Sequence, residues 1–345
     1  MRRATRLIGA AVAAAALILT AGCSGDDDAA AKGGTEGKTG GLEKVSYLTG
    51  VNIQGRESYV YVAQEKGFFK DAGLEVEVKP GLGSEKNLQL LQAGQADFAM
   101  VDISAGMIAY AQGKFKDFTI VSAIHQRNLA CFMALTGSGI STPKDLENKK
   151  IAYIPGGIVK TLFDTYAKLS GIDAKTVTWV NMPPQEMGKG LAQGSIDAAT
   201  QFVVGKPAVE QAAKAKGKTA VVLPFSDQLV DLYGNGLAVS KKSLADNPDR
   251  VKRFNDAMLK GLQYAIDNPA EAGKIYAKYQ KLQPEPVAAA EVALMVPYTK
   301  TAGTPLGALD EQKVARNIAL LQGAGAIPGP INAKDVISFD FVAKS

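Results

Sequence analysis

Residues 90–99 read LLQAGQADFA and residues 190–199 read GLAQGSIDAA. Both contain Leu, two residues, Gly, two residues and Asp, as Leu91, Gly94, Asp97 and Leu191, Gly194, Asp197. This spacing describes a helix-to-strand junction. The leucine packs the last helical turn, and the glycine supplies the left-handed residue that ends it. The aspartate opens the next strand, where its carboxylate can accept from nearby backbone N–H groups. A chain that writes this junction twice is constrained to two α/β units built on one local plan. Both aspartates are read as structural.

The flanking patterns extend the plan. In the first unit, KVSYLTGV (44–51), LEVEVK (74–79), DFAMVD (97–102) and FTIVSAI (118–124) read as strands. Helices are expected over 58–69, 84–94 and 104–113, with Ser58, Ser84 and Ser104 as N-caps. In the second unit, strands over 150–154, 177–182, 197–203 and 219–225 alternate with helices over 157–171, 185–194 and 206–217. Each series predicts a mostly parallel sheet with helices on its faces. GLAVS (236–240) adds a strand, and the rest is helical: 247–268, with Asn247 as N-cap and Pro248 at the first helical position, then 269–280, 285–296 and 310–325. Such a strand-poor tail is expected to pack back onto the first unit.

The N-terminus reads as an export signal. Arg2, Arg3 and Arg6 precede the apolar run LIGAAVAAAALILTAG, which is short and Ala-rich for a membrane span. The run ends in LTAGC, which resembles a bacterial lipobox with Thr20 where Leu is usual, and the resemblance makes Cys23 the lipidated residue. Residues 1–22 are then the signal peptide and 23–43 a flexible tether rich in Gly, Ala, Asp and Lys. Without the three signal arginines the net charge falls from +5 to +2. That excess gives no case for nucleic acid as a partner. With Cys23 acylated, Cys131 has no intramolecular partner; it lies in the apolar run LACFMAL and reads as a buried small hydrophobe.

Three segments then bring a family into view. YVAQEKGFFKDAGLEVEV (59–78), LLQAGQADFAMVD (90–102) and LAQGSIDAATQF (191–202) resemble the solute-binding proteins of bacterial ABC importers, in particular the nitrate, sulfonate, taurine and thiamine-precursor type, the NMT1/THI5-like family. DLENKKIAYIPGG (145–157) matches as well, and the similarity runs from about Lys44 to Lys344. It implies a type II periplasmic-binding-protein-like α/β fold, with two lobes joined by two hinge crossovers and a ligand between them. Lobe one would comprise 44–130 plus 236–345, and lobe two 131–235. The implied protein is a monomeric, lipid-anchored subunit on the outer face of the cell membrane. It delivers a small solute to a permease and its ATPase, without catalysis and without a cofactor.

Open α/β sheets place ligands beyond the carboxyl ends of their strands, and this alone selects candidates. In the first unit these are Asn52, Gln54, Arg56, Glu57, Ser84, Asp102, Ser104, His125 and Arg127; in the second, Tyr153, Gly156, Gly157 and Gln201, with Tyr233 and Asn235 near the second crossover. Gly156 and Gly157 would let backbone N–H groups approach an acceptor oxygen. Arg56 and Arg127 suit a carboxylate, sulfonate or phosphate, or remain solvated surface arginines. Glu57 and Asp102 instead suit an amine or aminopyrimidine, and Asp102 alternatively caps the helix after it. Ser84 and Ser104 serve as caps, ligand contacts or both. Tyr153, Trp179, Phe202 and Tyr233 could wall a cleft, with core packing favoured for Trp179.

His125 is the only histidine, which defeats most metal sites and histidine-based triads; it is either a core or hinge residue or a ligand contact. PGGIVKT lacks P-loop spacing, so nucleotide hydrolysis is rejected. Two alternatives stay open: a pyrimidine-synthase-like enzyme of the same fold, and a surface sensor module. The solute's identity and charge are not legible, because the candidates carry both signs.

Overall fold

The computed structural model describes residues 41–155 and 157–342. Cys23, with the signal and most of the tether, lies outside the described residues, as does Gly156.

The repeated junction performs one job twice. Gly94 and Gly194 end their helices with φ of 66° and 75°, the left-handed conformation that costs glycine least. Leu91 and Leu191 are buried beneath these turns. Asp97 Oδ2 then accepts from the backbone N–H of Ser46 at 2.8 Å and from its hydroxyl at 2.9 Å. Asp197 Oδ2 accepts from the Lys150 N–H, also at 2.8 Å. Each carboxylate clips the neighbouring parallel strand in place.

Among the described residues ten strands result: β1 (Glu43–Leu48), β2 (Leu74–Lys79), β3 (Phe98–Asp102), β4 (Thr119–Ala123), β5 (Ala130–Leu135), β6 (Lys150–Tyr153), β7 (Thr178–Asn181), β8 (Ala198–Phe202), β9 (Ala220–Pro224) and β10 (Asn235–Val239). They form two five-stranded sheets, ordered β2-β1-β3-β10-β4 and β7-β6-β8-β5-β9. In the first, β1 runs parallel to β2 and β3 while β10 runs antiparallel to β3 and β4. In the second, β6 is parallel to β7 and β8 while β5 is antiparallel to β8 and β9. The antiparallel member of each sheet is thus the strand that arrives from the other sheet. Each sheet with its flanking helices forms a lobe.

β5 is the element that periodicity hides. All six of its residues are buried, so no alternation marks LACFMAL as a strand. The helix expected over 58–69 breaks at Gly67, whose φ is 77°, and that over 157–171 breaks at Leu162. The helix expected over 285–296 continues to Thr299 although Pro297 lies inside it and has no N–H for the Ala293 carbonyl.

The tail returns to the first sheet through its aromatic residues. Asn247 Oδ1 caps the Pro248–Asp267 helix by accepting from the Arg250 N–H at 3.0 Å. Phe254 on that helix stacks on Phe98 of β3, with centroids 3.8 Å apart and planes at 6°. The Glu285–Thr299 helix packs against the Pro269–Tyr279 helix and residues 55–57, but also against residues 203–213 of the second lobe. One buried apolar cluster accordingly runs from Val45 and Phe98 through Ile124 and Leu129 to Met133 and Ala199. Among the described residues no helix is long and apolar enough to cross a membrane.

If the two carboxylates are clips, Asp97→Ala and Asp197→Ala should each lower stability by about 1–3 kcal/mol in urea unfolding. The double variant should lose close to the sum, since the two sites share no partner. A variant as stable as the parent would remove that aspartate from the scheme.

Candidate functional site

The two crossovers, residues 124–129 and 225–234, are bonded to one another. The His125 N–H donates to the Asn235 carbonyl, the Gly234 N–H to the His125 carbonyl and the Asn128 N–H to the Leu232 carbonyl, each at 3.0 Å. The Asn128 side-chain amide donates to the Tyr233 carbonyl at 2.6 Å and to Asp102 Oδ2 at 3.1 Å. Gly234 is needed for this approach: a Cβ there would lie 2.8 Å from His125 Cβ and 2.9 Å from the Arg127 carbonyl.

This zipper and the groups bonded to it collect Asp102, His125, Tyr233, Asn235, Ser84 and Ser104 of the residues singled out from the sequence. Asp102 ends β3, Asn235 opens β10 opposite it, and His125 follows β4. Asp102, not Ser104, caps the Ile103–Ala111 helix, with Oδ1 accepting from the Ala105 N–H at 2.8 Å. Gly83, not Ser84, stands at the cap of the Ser84–Gln92 helix. Ser84 is the first and Ser104 the second residue of its helix, past the cap position, which frees their hydroxyls for other bonds. Ser84 Oγ accepts from the Asp102 N–H at 3.0 Å, and Ser104 pairs with Asn317 at 3.3 Å. Asn317 also accepts from the Tyr233 N–H, and the Tyr233 hydroxyl accepts from the Asp310 N–H at 2.9 Å. Tyr233 and Ser104 are therefore tied to the Glu311–Gly323 helix.

Burial sets the protonation here. It raises the Asp102 carboxyl to about 6, against the hydrogen bonds that favour its charge. His125 is 1% exposed, and burial lowers its imidazole to about 3, with Arg56 adding to the effect. The ring is therefore neutral, and among the described residues neither ring nitrogen has a hydrogen-bond partner.

A second cluster forms where the chain leaves β1. Arg56 and Glu57 are 7% and 1% exposed and form an ion pair of 3.2 Å between Nε and Oε1. The remaining guanidinium nitrogens donate to Gln54 Oε1 at 2.5 Å and to the Val51 carbonyl at 3.2 Å. Glu291 Oε2 accepts from the Arg56 backbone N–H at 3.0 Å, and Gln283 Oε1 from the Gly55 N–H at 2.7 Å. Across the seam the guanidinium carbon lies 5.8 Å from the ring centroid of Phe202, the last residue of β8. Burial raises the Glu57 carboxyl to about 7; Arg56 pulls it down while Glu291 pushes it further up. Glu291 is raised as well, again mainly by burial.

The other candidates stand apart from this cluster. Arg127 donates to Ser226 Oγ at 3.3 Å and lies 5.5 Å from the Tyr298 centroid. Asn52 takes a left-handed φ of 54° and donates its N–H to Gly81. Gln201 reaches Met187 Sδ at 3.7 Å. Tyr153 meets Trp179 edge-on at 5.6 Å, and Trp179 in turn packs on Phe163 at 4.9 Å. The Gly157 N–H closes a turn on the Ile154 carbonyl. Among the described residues no hydrogen bond or ion pair joins Tyr153 or Gly157 to Arg56 or Glu57.

Sequence reading missed Glu291, Gln283, Asn128 and Asn317. Only Glu291 carried a signal: it is the sole charge between Val287 and Val296, a run that otherwise reads as buried helix.

Two α/β lobes, two bonded crossovers and polar groups buried along the seam define a periplasmic-binding-protein fold. The aliphatic sulphonate-binding protein SsuA of Escherichia coli shares it, with a TM-score of 0.67 at 15% identity over 85% of this chain and 96% of that one. By sequence, the NMT1/THI5-like family matches residues 56–272, more than half of the chain, and the chain belongs to that family. Relatives include the riboflavin-binding protein RibY of Chloroflexus aurantiacus, 24% identical over 82% of this chain and 81% of its own. The 4-amino-5-hydroxymethyl-2-methylpyrimidine phosphate synthase of Aspergillus parasiticus is 25% identical over 71% of this chain and 73% of its own.

The shifts predict how stability follows pH. Glu57 is raised in the folded state, so its contribution is complete below about 4.5 and is lost as pH rises towards about 7. His125 is depressed, so its contribution is complete above about 6.5 and is lost as pH falls towards about 3. Glu57→Gln should therefore gain on the parent as pH rises through the first window, and His125→Gln as pH falls through the second. Flat difference profiles in thermal unfolding would contradict both assignments.

Proposed function

We propose that this chain is the extracytoplasmic solute-binding subunit of an ABC importer. It captures a small organic or oxyanion solute between 44–130 plus 236–345 on one side and 131–235 on the other, and it presents the closed form to a permease driven by its ATPase. A lipid on Cys23, with 23–43 as tether, would keep it at the outer face of the membrane. The observation that carries the reading is the seam itself. His125, Asp102, Arg56 and Glu57 are all buried at or beside strand ends of one lobe, and Arg56 among them faces Phe202 of the other. Polar groups are hidden this way at a cost unless they have a task or a partner. The family and the shared fold support the same assignment.

Relatives named as pyrimidine phosphate synthases keep an enzymatic reading in view. Two features favour a binder. Cys131, the one free cysteine of the described residues, is wholly buried in β5, and burial pushes its thiol far above the usual range, away from the reactive thiolate. The single histidine is held neutral beside Arg56.

A solute that closes the lobes should shrink the radius of gyration in scattering. At about 100 times its dissociation constant it should add roughly 2.7 kcal/mol of stability. His125→Leu retains most of the volume but removes both ring nitrogens, and it should weaken binding at least about tenfold with the fold intact. Recovery of the solute chemically changed would overturn the binder reading. Unchanged affinity would take His125 out of the site.

A further inference from the structure

Each crossover passes from the bonds of one lobe to those of the other at a definite point. In the first, the backbone partners up to position 127 belong to the first sheet and the tail. His125 exchanges backbone bonds with Gly234 and Asn235. Gln126, 1% exposed, donates from Nε2 to the Pro305 carbonyl at 2.6 Å, and its Oε1 accepts from the Thr301 N–H at 2.7 Å. Its carbonyl accepts from Lys313 Nζ at 2.6 Å, and the Arg127 N–H donates to the Tyr298 carbonyl at 3.0 Å. From Leu129 onward the partners belong to the second sheet. The Leu129 carbonyl accepts from the Val203 N–H at 2.8 Å, and β5 begins at Ala130.

The second crossover changes hands as sharply. Phe225 stacks on Tyr166 of the second lobe with centroids 4.4 Å apart. The Leu229 N–H returns to the Phe225 carbonyl and the Leu232 N–H to the Leu229 carbonyl. Tyr233 and Gly234 are instead bonded to Asn317, Asp310, Ile103 and His125. Asn128 joins the two change-over points. Its N–H donates to the Leu232 carbonyl at 3.0 Å, and its side-chain amide donates to the Tyr233 carbonyl at 2.6 Å and to Asp102 Oδ2 at 3.1 Å. Its Oδ1 accepts from the Ala130 N–H at 2.8 Å. Asn128 is wholly buried, and this set of donors and acceptors fixes which way its amide faces. Further contacts cross here: Arg127 to Ser226 at 3.3 Å, and the surface ion pair of Arg316 with Asp231 at 3.0 Å. The first is long and the second solvated, so both hold weakly.

We infer that Asn128 is the pivot of lobe motion: the axis passes through Asn128 and the Leu232–Tyr233 peptide, and the Asn128 amide is a positioning group that sets the angle between the lobes. This rests on the solute-binding reading, which gives the motion its purpose. Rotation about that axis keeps the bonds of 124–127 and 233–235 on one side and those of 129–130 and 225–232 on the other, as a hinge of a few element-terminal residues requires. Asn128 is bonded on both sides and so carries the change.

The test is pulsed electron paramagnetic resonance on the chain with Cys23→Ser, spin-labelled in pairs at Leu82→Cys, Leu169→Cys and Val230→Cys. All three positions are exposed, and Cys131 is wholly buried and stays unlabelled. In the parent, Val230 should hold a narrow distance to Leu169 and a distance to Leu82 spread at least about 2 Å more widely. Asn128→Ala and Asn128→Asp both lose the donor bonds to Asp102 and Tyr233, and each should shift or broaden the Leu82–Leu169 distribution by at least about 2 Å. Gln126→Ala removes an equally buried amide whose partners all lie in one lobe. It should lower the urea midpoint and leave that distribution unmoved. A Val230 that follows Leu82 instead of Leu169 overturns the pivot, and this is read in the parent whether or not the Asn128 variants fold. So does a Gln126→Ala chain that moves the lobes as far as Asn128→Ala, or folded Asn128 variants that move nothing. A Leu82–Leu169 distance as narrow as Val230–Leu169 in the parent and in every variant means no lobe motion, and the solute-binding reading then fails with the pivot. Motion about another point overturns the pivot alone.

Discussion

Everything at the seam depends on the pairing of two short segments that are far apart in sequence. The bonds between 124–129 and 225–234 fix where β4 ends, where β5 begins and where β10 enters the first sheet. They also bring Asn235 against His125, which lies far earlier in the sequence. Gly234 is the point of closest approach, and any side chain there would strike His125. On the proposed reading lobe motion would take place about these bonded segments, since hinge closure uses a few loop or element-terminal residues.

The charges are housed by a different principle. Arg56, Glu57 and Glu291 have been taken out of water, which costs several kcal/mol per ion before partners are counted. Their partners are therefore numerous: an ion pair, two side-chain amides and the backbone groups at the start of the Ser58–Glu65 helix. Raised carboxyls at Glu57 and Glu291 are the residue of incomplete compensation, two acids against one base. The tail helix that supplies Glu291 also touches residues 203–213 of the second lobe. The same helix thus adds the second acid to one lobe and touches the other.

Local chemistry made much of this legible. The Leu–Gly–Asp junction announced two units, and its aspartates do in both lobes what a carboxylate at a strand start can do. Asn247 and Pro248 marked the long tail helix, and strand-end geometry selected Asp102, His125, Arg56 and Glu57. Failures came where information is not local. β5 is buried on every side and so has no period to read. Ser84 and Ser104 looked like caps because serine before an apolar run usually is one, while Gly83 and Asp102 hold those positions. Arg56 reads as a free cation although its ion-pair partner Glu57 is adjacent, and the second carboxylate, beside its backbone, lies 235 residues away. No spacing rule connects the two; only the packing of the tail does.

That distance bears on how closure would be driven. On the proposed reading, open and closed forms differ by contacts such as Arg56 on Phe202, and a solute shifts the balance only through what it gains in one form and not the other. A buried donor or acceptor left unmatched costs about 1–3 kcal/mol. His125 has two such atoms, on the hinge itself. On that reading a solute that meets them only when the lobes close favours the closed form, whereas one that touches a single lobe binds both forms alike and moves nothing. The strongest lever on the equilibrium is therefore the neutral imidazole between the crossovers. Arg56, its guanidinium already bonded to Glu57, Gln54 and Val51, contributes shape and a stacking face more than charge.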